Sequence, residues 1–151
     1  RFDTWLDRAG TKDDFLARAE VAAIVKDKFH EYDGKFYDLI AYTIMPNHFH
    51  LLIDFSVQLN NTQDYVQLEW VMKYIKGGSA YTINKTLGRK GQFWQRESYD
   101  RVVRDEREFY NIIRYILLNP VKANLVEFWG DWEYSYVKNM YSEVMSPSME
   151  E

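Results

Sequence analysis

The sequence predicts one α+β domain, an antiparallel sheet covered on one face by helices. Three observations predict it. Two runs rich in aromatic and β-branched residues, Lys35–Met45 and His48–Phe55, flank a Pro46-Asn47 turn and read as a hairpin. Stretches with apolar residues at helical spacing stand before and after that hairpin. The chain of 151 residues, 46% hydrophobic and 17% aromatic, carries no repeat and no Pro/Gly-rich linker, and is long enough to bury a core of its own.

In order along the chain, residues 1–10 are mixed, end on Gly10 and are assigned to no element. From Asp13 to Tyr32, Phe15, Leu16, Ala19, Val21, Ala22, Ile24, Val25 and Phe29 give a helical stripe, closed by Asp33-Gly34. The hairpin follows, then a polar loop over Ser56–Asp64. A second helix spans Val66–Thr86, with Gly77-Gly78 as a point of interruption, and Leu87–Gly91 forms a turn. Phe93–Val103 reads as extended. A third helix runs from Asp105 to Leu118 and stops at Asn119-Pro120, because proline disfavours helical geometry in the residue before it. Trp129, Trp132, Tyr134 and Tyr136 read as packing residues. The domain is set at 1–140, with a polar tail at 141–151.

The absence of cysteine removes disulfides, thiolate chemistry and Cys-based zinc sites. No apolar run approaches the ~20 residues of a membrane span, and nothing at the amino end reads as a signal peptide. The expected location is the cytoplasm. A net charge of −4 argues against a nucleic-acid partner until its distribution is considered. Residues 73–114 carry ten basic and five acidic side chains, whereas residues 41–72 carry no basic and three acidic ones. Phosphates respond to the local field, so this stretch is either a DNA-facing surface or a solvated helix face.

His48 and His50 are two of the three histidines, and their spacing in a strand puts both side chains on one face while Phe49 points the other way. Neutral imidazoles are good ligands for divalent metals, although an HxH pattern also arises by accident. Two imidazoles leave coordination positions open, which suits a metal that polarises a phosphoryl oxygen. Tyr115 and Asn119, four apart, share one helix face. The rival Tyr110 lies about 140° around the helix from Tyr115 at about 100° per residue. A phenol can attack phosphorus if something offsets its pKa of about 10. Taken alone, Tyr115 reads as a packing residue of an amphipathic helix and Asn119 as a polar stop.

The combination is more specific than its parts. The run Ala41–Ile53 (AYTIMPNHFHLLI) resembles the signature of the HUH single-strand DNA transposases, nearest to the REP-associated tyrosine transposases. Phe93–Arg101 (FWQRESYDR), Tyr115–Val126 (YILLNPVKANLV) and Trp132–Ser135 (WEYS) match in the same order. The resemblance covers about residues 2–136. It implies a ferredoxin-like fold, His48 and His50 as metal ligands, Asn119 as a third ligand, Tyr115 as nucleophile, and Mg²⁺ or Mn²⁺ as the metal. It also implies cleavage and rejoining of single-stranded DNA beside REP hairpins through a 5′-phosphotyrosine, by a monomer working at the bacterial nucleoid. Two alternatives stand beside it: a dimeric insertion-sequence transposase, and a hairpin-DNA binding protein that does not cleave. Lys73, Lys76, Arg89, Lys90, Arg96, Arg101, Arg104 and Arg114 become candidate phosphate contacts, and Trp94 or Tyr99 a stacking platform for an unpaired base. Relatives open on a strand of the type YFVTFRT. None is recognisable where this chain opens on Arg1-Phe2-Asp3, so the expected sheet lacks its first strand.

Overall fold

The computed structural model describes residues 3–58 and 66–146. Its elements in chain order are β1 (Asp3–Thr11), α1 (Ala19–Glu31), β2 (Asp38–Met45), β3 (His48–Asp54), α2 (Leu68–Leu87), β4 (Trp94–Val102), α3 (Glu106–Lys122) and β5 (Ser135–Val137). The first six form a βαββαβ unit whose strands pair antiparallel in the order β4-β1-β3-β2, with β5 added beside β2. That is the ferredoxin-like arrangement.

The first strand is present, which corrects the expectation that it was missing. Asp3–Thr11 is the strand, and it lies between β3 and β4 in the interior of the sheet. Its pairing with β3 runs in register to Leu6↔Leu51 and resumes at Ala9↔Phe49, so Asp7 and Arg8 together stand opposite the single residue His50. This is a β-bulge, and it breaks the alternation on which strand assignment depends.

Helices cover both faces of the sheet, not one. On the first face Leu6, Leu39, Tyr42, Ile44, Phe49, Leu51 and Ile53 pack against Val21, Val25 and Phe29 of α1 and Val71, Ile75 and Ile83 of α2. On the second, Trp5, Ile40, Ala41 and Leu52 pack against Phe109, Ile112, Ile113, Ile116 and Leu117 of α3. Strands β2 and β3 are buried on both sides, so both sets of alternating side chains need an apolar partner.

Other boundaries also shift. The first helical stretch divides into a 3₁₀ turn at Phe15–Ala17 and α1. Of the expected polar loop, Phe55–Gln58 forms a 3₁₀ turn and 59–64 lies outside the described residues. Helix α2 runs unbroken through Gly77-Gly78, and the end of the Lys28 side chain of α1 lies against Gly78. Helix α3 continues past Asn119-Pro120 to Lys122. It is closed by Asn124, at φ 60°, with Asn124 N–H donating to the Val121 carbonyl (3.0 Å) and Leu125 N–H to the Pro120 carbonyl (2.9 Å). This is a Schellman closure with asparagine in the left-handed position. The carboxyl-terminal segment is not simply a polar tail, since Tyr141 and Val144 are buried beneath α3; residues 147–151 lie outside the described residues.

Candidate active site

The hairpin turn that precedes His48 is tied down by the strand and turn before α1. Thr11 N–H donates to the Asn47 carbonyl (2.8 Å) and Leu16 N–H to the Pro46 carbonyl (2.9 Å). Gly10 pairs with His48, and a Cβ there would meet Gln95 Oε1 at 3.1 Å and the Asn47 carbonyl at 3.3 Å. The lack of a side chain lets β1 close against the base of the histidine strand. His48 and His50 then project together on the α3 side, ring centroids 4.9 Å apart, while Phe49 enters the opposite core against Phe29 and Trp94.

Helix α3 brings Tyr115 to the same place. Asp105 caps its start, Oδ1 accepting from Glu108 N–H at 2.8 Å, and the stripe from Phe109 to Leu117 seats it on the sheet. The Tyr115 ring stands 5.5 Å from the His50 ring and 5.6 Å from the Trp5 ring, centroid to centroid. The tyrosine is 40% exposed, and Lys122 Nζ lies 5.5 Å over its ring. Tyr110 instead packs among Phe109 and Tyr141. Asn119 uses Nδ2 to donate to the Tyr115 carbonyl (3.3 Å), which leaves Oδ1 as an acceptor on the same side of the helix.

Burial keeps both imidazoles neutral. The His48 pKa is lowered to about 4 by burial and by the Arg8 charge. That of His50 is lowered to about 3 by burial, by His48 and by Arg8. Asn47 Oδ1 stands 2.7 Å from His48 Nδ1, and Asp7 Oδ1 stands 3.6 Å from His50 Nδ1. Burial pushes the Asp7 carboxyl above its ordinary value, against the opposing pull of Arg101 and Arg8. Two neutral imidazoles side by side are a donor set suited to a divalent cation. Among the described residues, no group of three His, Cys, Asp or Glu side chains is placed to hold one.

Beside Tyr115 lies an open cleft of about 450 Å³, lined by Trp5, Arg101, Arg104, Arg107 and Glu108 as well as the tyrosine. Arg101 lies over the Trp5 ring at 4.8 Å, and Arg101 and Arg104 both reach the Glu108 carboxylate, at 3.1 and 3.2 Å. The candidate phosphate contacts are therefore divided. Arg101 and Arg104 line this cleft, and Arg114, on α3, bonds Asn111, which also lines it. Arg96 is exposed on the edge strand β4. Lys73 and Lys76 are on α2, across the sheet, where Lys73 covers Trp70 at 4.9 Å. Arg89 is held by Asn84 Oδ1 and lies over Phe15 and Phe93, and Lys90 is exposed beyond the end of α2. Trp94 is not a stacking platform: it is 6% exposed, packed on Phe49 and Phe93, and its indole N–H bonds Ser79 Oγ at 3.0 Å. Tyr99 is 65% exposed. Trp5, Asp7, Arg107 and Lys122 were not among the candidates read from the sequence. The first two belong to the unrecognised strand, and Lys122 stands in the NPVKA run, three residues beyond Asn119.

The profile of the family described as "Transposase IS200 like" matches residues 11–119, most of the chain. The chain belongs to this family. A curated relative of this chain, from Haemophilus influenzae and named "Putative REP-associated tyrosine transposase", is 29% identical over 102 residues. The match takes in 66% of this chain and 58% of the relative, so the chain spans little more than half of that protein's length. The solved structure of a REP-associated tyrosine transposase bound to a REP hairpin superposes with a TM-score of 0.65 at 18% identity, over 87% of this chain and 74% of that one. It shares the fold. No helix among the described residues is long and apolar enough to cross a membrane.

Proposed function

We propose that this IS200-like transposase is a metal-dependent tyrosine enzyme that cleaves and rejoins single-stranded DNA at REP-type hairpins. The observation that carries the reading is the contact between Tyr115 and His50 within one chain. A family transposase with an exposed phenol against a pair of neutral imidazoles has both halves of a phosphoryl-transfer site. His48 and His50 hold the Mg²⁺ or Mn²⁺, with Asn119 Oδ1 as a further donor. Bound there, the cation supplies Lewis-acid stabilisation of the phosphate charge. Tyr115 Oη attacks phosphorus, forming an O–P bond as the P–O3′ bond breaks. The phenol gives up its proton and the departing 3′ oxygen takes one up, so the product strands are a 5′-phosphotyrosine and a free 3′-OH. Rejoining reverses the step, with a 3′-OH attacking and the tyrosine leaving. Lys122 Nζ lies over the Tyr115 ring as a positive charge beside the reacting phosphate, and Arg101, Arg104 and Arg107 receive the strand through its phosphates. The relative's name and the hairpin in the superposed structure support REP-type DNA as substrate. Tyrosine and histidine meeting in cis supports action by a monomer.

The test is a labelled single-stranded REP hairpin incubated with the protein and Mn²⁺, resolved on a denaturing gel. A covalent adduct is expected for the native chain and for Tyr110→Phe, and none for Tyr115→Phe or for His48→Ala with His50→Ala. An adduct with Tyr115→Phe overturns the nucleophile, and cleavage without both histidines overturns the metal site. Binding of the hairpin with no adduct under any divalent cation identifies a protein that holds hairpins without cutting them.

A further inference from the structure

The bulge in β1 has a partner across the ladder. Where Leu6 pairs with Leu51 and Ala9 with Phe49, two residues, Asp7 and Arg8, stand against His50 alone. Bulges re-aim side chains and occur beside active sites. This one aims a carboxylate: Asp7 Oδ1 lies 3.6 Å from His50 Nδ1. His50 is 3% exposed, and its Nδ1 is buried without a hydrogen bond. The distance is just beyond the ~2.7–3.2 Å of a hydrogen bond, and the Asp7 side chain is 44% exposed, with room to turn toward the ring.

We propose that Asp7 is the positioning carboxylate of His50. Its carboxylate accepts a hydrogen bond from Nδ1–H, fixes the imidazole in that tautomer, and leaves the Nε2 lone pair for the cation. This rests on the reading of His48 and His50 as metal ligands. His48 has the matching arrangement, because Asn47 Oδ1 stands 2.7 Å from its Nδ1. His48 is thus held through Nδ1 by an oxygen acceptor from the turn, and Asp7 offers His50 the corresponding acceptor from the bulge. A carboxylate in this position makes the ligand nitrogen more basic as well as orienting the ring. Asp7 acts through His50 rather than as a third ligand, consistent with the absence, among the described residues, of any three such side chains placed to hold a metal.

The experiment has two readouts independent of DNA cleavage. The first is the ¹⁵N imidazole spectrum of His50 in protein freed of metal by chelation. The second is Mn²⁺ affinity by calorimetry on the same samples. The native chain is expected to show Nδ1–H at His50. Asp7→Ala is expected to move His50 toward Nε2–H and to weaken Mn²⁺ binding by about 10–100-fold, while His48 keeps its tautomer. Asp7→Asn, which retains an acceptor without the charge, restores the tautomer and part of the affinity. An Nε2–H form in the native chain, or an unchanged tautomer and affinity in Asp7→Ala, overturns the proposal. If native protein binds no Mn²⁺, the metal-site reading fails, and the tautomer measured without metal still decides whether Asp7 orients His50.

Discussion

The Tyr115 ring stands edge-on to the His50 imidazole, with centroids 5.5 Å apart and planes at 85°. Both belong to one chain, so one molecule holds a full set of parts. Mixing Tyr115→Phe protein with His50→Ala protein, each inactive alone, is therefore expected to leave the hairpin uncut. Adduct formation in the mixture shows that one subunit's tyrosine serves another's histidines, and it rules out the monomeric reading.

Metal-free protein should lose stability on mild acidification. The folded-state pKa values of His48 (about 4) and His50 (about 3) lie below the ordinary 6.5. The unfolded chain therefore takes up protons first as the pH falls below 6.5. The two histidines contribute stability that is full above 6.5 and is lost as the pH falls toward their folded values. Urea unfolding in a chelator, followed from pH 7.5 to 5, should show the midpoint falling below about pH 6.5, the ordinary histidine value. A His50→Asn variant should show a shallower fall. A midpoint that stays level across this range contradicts neutral burial of the pair.

The helix that carries the tyrosine starts at a cap. Asp105 Oδ1 accepts from Glu108 N–H at 2.8 Å. Asp105→Ala should cost about 1 kcal/mol of stability, read as a lower denaturant midpoint with an unchanged slope. Asp105→Ser, which can cap in the same way, should recover most of it. Equal losses for both variants mean that the carboxylate matters for some reason other than the cap.

Salt dependence can separate the two groups of basic residues. Each phosphate contact on single-stranded DNA contributes about 0.7 to the slope of log affinity against log salt. Arg101 is exposed in the cleft beside Tyr115, whereas Lys73 is on α2 across the sheet. Arg101→Gln is expected to lower the slope by about that amount, and Lys73→Gln to leave it unchanged. The reverse result places the DNA path over α2.

The sequence made the hairpin and the family legible but hid one strand. β2 and β3 are long apolar runs on either side of a Pro-Asn turn, a pattern that survives burial on both faces. β1 lost its signal because the bulge sets Asp7 and Arg8 outside the alternation that Trp5, Leu6 and Ala9 would otherwise display. Trp5 and Asp7, which touch Tyr115 and His50, were hidden with it. The end of α3 was misplaced because Pro120 is a local stop signal, while the helix is held by packing of its apolar stripe and closed by Asn124 four residues later. Trp94 illustrates the opposite limit. An aromatic within a basic stretch has the same sequence pattern whether it stacks on a base or fills a core, and Ser79 and Phe49 decide for the core.

Alternation along β3 puts Phe49, Leu51 and Ile53 into one core and His48 and His50 beneath the tyrosine helix. Slippage of the ladder by one residue would exchange the two sets, placing imidazoles in the hydrocarbon and a phenyl ring beside Tyr115. No intermediate register satisfies either side. The proposed reaction would thereby double as a count of correctly paired molecules: in any preparation, the fraction able to form the phosphotyrosine adduct could not exceed the fraction whose sheet is in register.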